Sequence, residues 1–325
     1  MTKTRATVTG KTATTATAPP PVGERMKIGA IHTVWKLATW TGLRRIGDMT
    51  KKVHAGAYGD SIWYFDDNTT TMDSINTTTS TPTQSPTPHP MDGVMALTID
   101  DGLFSNRGTG ENNSMVEEIL ELLKSYKAHA TFMCCTKYTS PSQVKLVREA
   151  GHEFGNHLYD DPVPNYYAKM SKDVFRTHLH KSITYLVEDC GIPRQDLHWF
   201  RAPQGLMSKA MKDVVAEERL INVFGDCYCD DWAFAEYGTQ NTAPVAPMML
   251  HQFDRNTRVD NRGSIAIFHM PERNFRESTY KAIKEFLEGM QQRNIRCVTV
   301  TELSKLSKFQ HPAYGSSTAT GTRAE

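Results

Sequence analysis

The sequence predicts an α/β fold, with helices packed on a parallel sheet that is open or closed into a barrel. Three observations carry this prediction. From about Met91 to Leu306, short apolar runs alternate with runs of helical period, and repeated βα units of that spacing build parallel sheets. Acidic, basic and imidazole side chains collect where the apolar runs end, as they do on the loop face of a parallel barrel. The length of 325 residues, 39% hydrophobic content and mean hydropathy of −0.49 suit one large soluble domain with an irregular extension.

Taken in order, residues 1–67 read as an N-terminal extension, basic and partly disordered. Its segment 26–52 pairs Ile28, Ile31, Trp35 and Ala38 with Lys27, Lys36, Arg44 and Arg45. That pattern fits a targeting segment, a peripheral contact with a membrane surface, a helix on the main domain, or disorder. Residues 68–90, NTTTMDSINTTTSTPTQSPTPHP, are a Thr/Ser/Pro-rich linker without the apolar residues to build a core. Its composition, and sequons at Asn68, Asn76 and Asn112, lean toward secretion or the cell surface. The main domain spans 91–308, and 309–325 read as a disordered tail.

Within the domain, Val94–Ile99 is an apolar strand that ends in Asp100-Asp101-Gly102. Side chains alternate along a strand, so both carboxylates can serve one site only if the chain turns there, and Gly102 makes a turn cheap. A helix capped by Asn113 or Ser114 carries Met115, Ile119, Leu122, Leu123 and Tyr126 at helical spacing. Strands follow over 130–135, 152–157, 197–201, 220–226, 264–269 and 297–300. Helices lie between them over 142–150, 171–190, 208–219 and 276–293, with a short last one at 301–306. Gly151 and Gly191 stop two of these helices.

Several function classes are disfavoured. Net charge is +1 and no basic stripe interleaves with aromatics, so nucleic acid is not an expected partner. No apolar run is long enough to span a bilayer. The six cysteines, 134, 135, 190, 227, 229 and 297, lack zinc-knuckle spacing and read as buried thiols, although their even number also permits disulfides.

Five strand ends carry polar residues: Asp100-Asp101, Gly155-Asn156-His157, Phe200–Gly205, Asp226 with Asp231-Trp232, and Phe268-His269. Each has an ordinary structural explanation alone, but their common position points to a site assembled from several loops. The segments TIDDG (98–102), GNHLYDDP (155–162), FRAPQG (200–205), DCYCDDW (226–232) and IFHMPE (267–272) resemble the polysaccharide deacetylase family in order and spacing. The endings HMPER and VTVTEL are similar to its eukaryotic chitin-deacetylase-like members.

The resemblance implies a distorted (β/α) barrel of about seven strands and a metal-dependent deacetylase acting on a chitin-like amino-sugar polymer or oligomer. It implies Asp100 as general base, and Asp101, His157 and Asp161 as metal ligands. Asp161 stands where many members have a second His, and its alternative is a solvated loop acid with Asp160 or water as ligand. Arg201 would pair with Asp100, a nearby cation favouring the carboxylate. The Gln204 backbone N–H would stabilise the oxyanion, His269 would be the general acid oriented by Asp231, and Trp232 and Ile267 would wall the acetyl pocket. Zn²⁺ is the first expectation, although one imidazole and two carboxylates make a harder donor set that also favours Co²⁺, Mn²⁺ or Fe²⁺. Ile99, Leu103, Gln204 and Met270 depart from the usual family residues without removing a reacting side chain. Two rival readings are a non-catalytic carbohydrate-binding or structural protein that keeps the barrel, and a hydrolase of small cyclic amides or imides.

Overall fold

The computed structural model describes residues 61–65, 89–104, 110–161, 166–236, 241–257, 263–307 and 309. The amphipathic stretch 26–52, the sequons at Asn68 and Asn76 and the tail after 309 lie outside the described residues.

The strands are β1 (Tyr64–Phe65), β2 (Val94–Asp101), β3 (Thr131–Cys134), β4 (Glu153–Asn156), β5 (Trp199–Phe200), β6 (Ile221–Asn222), β7 (Gly263–His269) and β8 (Arg296–Val298). The helices are α1 (Val116–Ser125), α2 (Pro141–Glu149), α3 (Lys172–Thr184), α4 (Lys209–Glu217), α5 (Asp231–Glu236), α6 (Val245–Thr257), α7 (Thr279–Gln292) and α8 (Val300–Leu306). Strand order is β1-β7-β2-β3-β4-β5-β6, with β8 paired to β2. Every pairing is parallel except β1 with β7. The sheet curls into a distorted (β/α) barrel.

β2 is its axis. Ala96 to Asp100 pair with Ile265 to His269 on one side, and Thr98 to Asp101 pair with Thr131 to Cys134 on the other. Alternation sorts its side chains: Met95, Leu97 and Ile99 join the core beneath the helices, while Val94 and Ala96 join a second cluster with Met133, Trp199 and Ile265. Asp100 shares the parity of Val94 and Ala96 and so faces inward with them.

The helices form where apolar residues recur on one face and a cap is at hand. α1 buries Val116, Ile119, Leu122 and Leu123. Ser171, Ser208 and Thr299 each cap a helix by accepting the backbone N–H three residues on. Four differences from the sequence expectation stand out. The helix over 171–190 breaks into a π turn at Tyr185–Asp189. α7 begins at Thr279, not Arg276. β5 and β6 hold two residues each. α5 and α6 were not anticipated, and Pro247 in the first turn of α6 hides that helix from a sequence reading. At that position its missing N–H costs nothing, because the first-turn donors have no intrahelical partner.

All six cysteines are free and buried. No helix among the described residues is long and apolar enough to cross a membrane.

Candidate active site

The site lies at the C-terminal ends of β2, β4, β5 and β7, where strand-end side chains meet in a partly open cavity of about 680 Å³. Asp100, Asp101, His157, Asp161, Arg201, Gln204, Trp232, Ile267 and His269 all line it. Asp231 stands behind His269, fully buried.

Both carboxylates of the Asp-Asp pair reach the cavity because the backbone turns at Asp101 itself, which has φ 78. That left-handed conformation interrupts the strand alternation that would send the second side chain away. Gly102 therefore serves another purpose than the expected turn. A Cβ there would lie 2.0 Å from Tyr138 Cβ and 2.4 Å from the Tyr138 carbonyl oxygen, so only glycine lets the two segments touch.

Arg201 holds Asp100. Its Nη1 donates to an Asp100 oxygen and, at 2.7 Å, to Thr98 Oγ1, while Nε donates to the Val223 carbonyl at 2.8 Å. A guanidinium with this many fixed partners is a rigid positioning group.

His157 is oriented from behind. Its Nδ1 is 2.7 Å from the Arg201 carbonyl, an acceptor only, so Nδ1 carries the hydrogen and Nε2 presents a lone pair. Asp161 approaches that face with Oδ2 3.8 Å from Nε2, while its Oδ1 accepts from the Gln204 amide at 2.6 Å. Burial pulls the His157 imidazole down, but the carboxylates of Asp161, Asp100 and Asp101 outweigh it and leave it raised. Asp160 is turned elsewhere, accepting from Lys137 at 3.3 Å and from the Tyr167 hydroxyl at 3.0 Å.

His269 is held at two points by one carboxylate. Its Nδ1 donates to Asp231 Oδ1 at 2.7 Å, and its backbone N–H donates to Asp231 Oδ2 at 2.9 Å. Burial disfavours the imidazolium, yet Asp231, Asp101 and Asp100 outweigh burial and push His269 up to about 9. It is therefore a proton donor at neutral pH. Trp232 Nε1 donates to the Tyr228 hydroxyl at 3.1 Å, and that hydroxyl donates to Asp230 at 2.7 Å, which fixes the indole.

Two participants escape a reading of the sequence. Arg276 is buried, and its Nη1 donates to Asp101 Oδ2 at 2.6 Å while Nη2 reaches Glu272 at 3.0 Å and Nε lies 3.6 Å from Glu236. Burial would raise the Asp101 carboxyl, but Arg276, His269 and His157 lower it to about 2. Cys135 is the second. Its thiol, the Asp101 carboxylate and the His157 imidazole offer three ligand atoms within 4.8 Å of one another. Burial, with the charges of Asp101 and Asp161, keeps that thiol protonated, and it donates weakly to the His157 carbonyl.

This donor set suits a divalent cation. Asp101 and His157 supply a carboxylate oxygen and an oriented imidazole nitrogen, Cys135 completes that cluster, and Asp161 approaches His157 at 3.8 Å without joining it. The carboxylates of Asp100, Asp101, Asp161, Asp231, Glu236 and Glu272 face the guanidiniums of Arg201 and Arg276 and the imidazoles of His157 and His269. The excess of negative charge favours a further cation.

Residues 88–220 match the family model for polysaccharide deacetylase. The peptidoglycan-N-acetylglucosamine deacetylase of Bacillus cereus is 27% identical over 214 residues, 65% of this chain and 87% of that protein. Across the curated relatives the alignments span from 15% to 87% of their length. Among solved structures, the Bc1960 peptidoglycan N-acetylglucosamine deacetylase is similar with a TM-score of 0.53 at 19% identity, over 77% of this chain and 95% of that one. BA3943, a CE4 family pseudoenzyme from Bacillus anthracis, is similar with a TM-score of 0.50 at 21% identity, over 70% and 74%. At those identities the structures speak to the fold alone. Through residues 88–220, which carry three of the five strand-end motifs, the chain is similar to the polysaccharide deacetylase family.

Proposed function

We propose that the protein is a metal-dependent deacetylase that hydrolyses N-acetyl groups of an amino-sugar polymer or oligomer, of the chitin or peptidoglycan-strand type. The observation that carries this is the pairing of two fixed groups around one cavity: the Asp100 carboxylate held by Arg201 and the His269 imidazolium held by Asp231. Hydrolysis of an acetamide needs a base for the attacking water and an acid for the departing amine.

Asp100 accepts the proton of the attacking water, with Arg201 keeping its carboxylate aimed. Asp101 and His157, with Asp161 or Cys135 as the third donor, hold a divalent cation, for which Zn²⁺ is the first candidate and Co²⁺, Mn²⁺ and Fe²⁺ the alternatives. When bound, such a cation polarises the acetyl carbonyl and eases deprotonation of water. The backbone N–H of Gln204 steadies the charge that develops on the carbonyl oxygen. His269 Nε2 donates a proton to the amine nitrogen as the C–N bond breaks, giving acetate and the free amine. Trp232 and Ile267 bound the space for the acetyl methyl.

The partly open cavity and its aromatic residues favour an extended sugar over a small cyclic amide or imide, which calls for a sealed pocket. The test is acetate release from N-acetylglucosamine oligomers by metal-stripped protein with Zn²⁺, Co²⁺ or Mn²⁺ returned. Turnover that a metal restores and that Asp100→Asn reduces by at least about a thousandfold supports the proposal. Metal binding measured by competition with a chelator, but no acetate release with any metal, overturns it.

A further inference from the structure

Residues 61–65 precede the stretch matched by the family model, which begins at residue 88, yet they are built into the barrel. Ile62 N–H donates to the Asn222 carbonyl at 2.9 Å and its own carbonyl accepts from Phe224 N–H at 2.7 Å. Two and three residues on, Tyr64 and Phe65 pair antiparallel with Ser264 and Gly263. The segment is thus pinned on both flanks, and Ile62 and Phe65 are buried with the inner cluster. Trp63, between them, is half-buried and lines the same cavity as Asp100 and His269. Its indole stacks on Phe224 with ring centroids 4.8 Å apart and planes inclined by 26°.

We propose that Trp63 is a sugar-binding platform: its indole receives the apolar face of a pyranose ring next to the one that is deacetylated. Segment 61–65 then adds a carbohydrate subsite from outside the family-matched stretch. This inference rests on the deacetylase reading of the site.

The physical case has three parts. One face of the indole is covered by Phe224, so the accessible part of the side chain is turned to the cavity rather than spread over the surface. The backbone on either side is fixed by sheet hydrogen bonds, so little ordering entropy is lost when a ligand stacks on the ring. The axial C–H groups of a pyranose carry partial positive charge and meet the negative face of an aromatic ring favourably, while the sugar hydroxyls stay in water. A tryptophan that served only to fill the seam between β6 and β7 would have no reason to line the cavity that holds Asp100 and His269.

The experiment compares wild type, Trp63→Ala and Trp63→Tyr on N-acetylglucosamine and on its tetramer, with tetramer binding measured separately by calorimetry on the Asp100→Asn background. In Trp63→Ala the ratio of kcat/KM for tetramer to monomer should fall about tenfold, through KM, and tetramer binding should weaken by a similar factor. Trp63→Tyr should recover most of both, since it keeps an aromatic face. A Trp63→Ala protein that loses rate equally on both sugars, or that binds tetramer as tightly as Asp100→Asn alone, overturns the platform. Wild-type protein that releases no acetate from either sugar overturns the deacetylase reading instead, and the binding arm still decides the role of Trp63.

Discussion

Asp231 spends both carboxylate oxygens on one residue, the imidazole and the backbone N–H of His269. That double hold makes the proton on His269 durable: burial works against it, but Asp231, Asp101 and Asp100 raise the imidazole to about 9. A group whose folded pKa exceeds its unfolded value stabilises the fold fully below the unfolded value, and that contribution is lost as pH rises through about 9. Activity should follow the same limb, because only the protonated ring can donate. Asp231→Asn should move the alkaline limb of kcat/KM to lower pH by at least about one unit; an unmoved limb would mean that another group supplies the proton. Arg276 sets the second prediction. Arg276→Met leaves Asp101 and Glu272 buried without their guanidinium, at a cost of about 3–5 kcal/mol near neutral pH. The Asp101 carboxyl, lowered from 3.8 to about 2, contributes stability above 3.8 that is lost as pH falls through about 2. The deficit should therefore shrink in acid, and urea unfolding of both proteins at about pH 7 and about pH 3 measures it. These two residues also mark what the sequence discloses. Asp100, His157, Arg201 and His269 are visible because each ends a strand-like run. Arg276 lies 175 positions from the carboxylate it holds, and no local pattern links them. Cys135 looks like any buried strand thiol until the curl of the sheet brings it beside His157.

Elements were legible where local chemistry and tertiary packing agree. α1 shows its buried face as a helical repeat, and α3, α4 and α8 begin at side-chain caps that can be read directly. β2 and β7 are long, apolar and fully paired, so their runs stand out. Elements whose existence depends on neighbours were harder to see. β5 and β6 are two residues each and owe their pairing to β4 and to each other. α6 buries Val245, Ala246, Met249 and Phe253, a helical spacing that Pro247 disguises. The π turn after α3 inserts one extra residue into a pattern that otherwise continues to Cys190, and the Cys190 N–H closes on the Tyr185 carbonyl at 3.0 Å. Asp101 is the sharpest case: the expected turn exists, but the Asp bears the left-handed backbone while the adjacent Gly permits the contact with Tyr138. Both jobs are written as Asp-Gly, and only the folded backbone divides them.

At the scale of the whole molecule, a parallel sheet of short strands has to close its edges, and this one does so at a seam between β6 and β7. Two sets of hydrogen bonds make the closure. Cys227 N–H donates to the Ile265 carbonyl at 3.2 Å, and Ile267 N–H returns to the Cys227 carbonyl at 3.0 Å. Beside them Ile62 bridges Val223 while Tyr64 and Phe65 pair with β7. Residues 223–227 run along this seam, and they include Val223, Phe224 and Asp226, whose carbonyls or side chains hold Arg201, stack on Trp63 and brace Ser264. The integrity of the seam and the aim of the Asp100–Arg201 pair are thus one mechanical question. Ile62→Pro poses it cleanly, because it removes the N–H bonded to Asn222 without adding charge. Amide exchange should then quicken at Phe224 and across Ile265–Ile267, while α1, β3 and β4, on the far side of β2, keep their protection. Loss of protection throughout would show the barrel to be a single cooperative unit in which residues 61–65 are a structural strand, and not a local clasp on the face that carries the site.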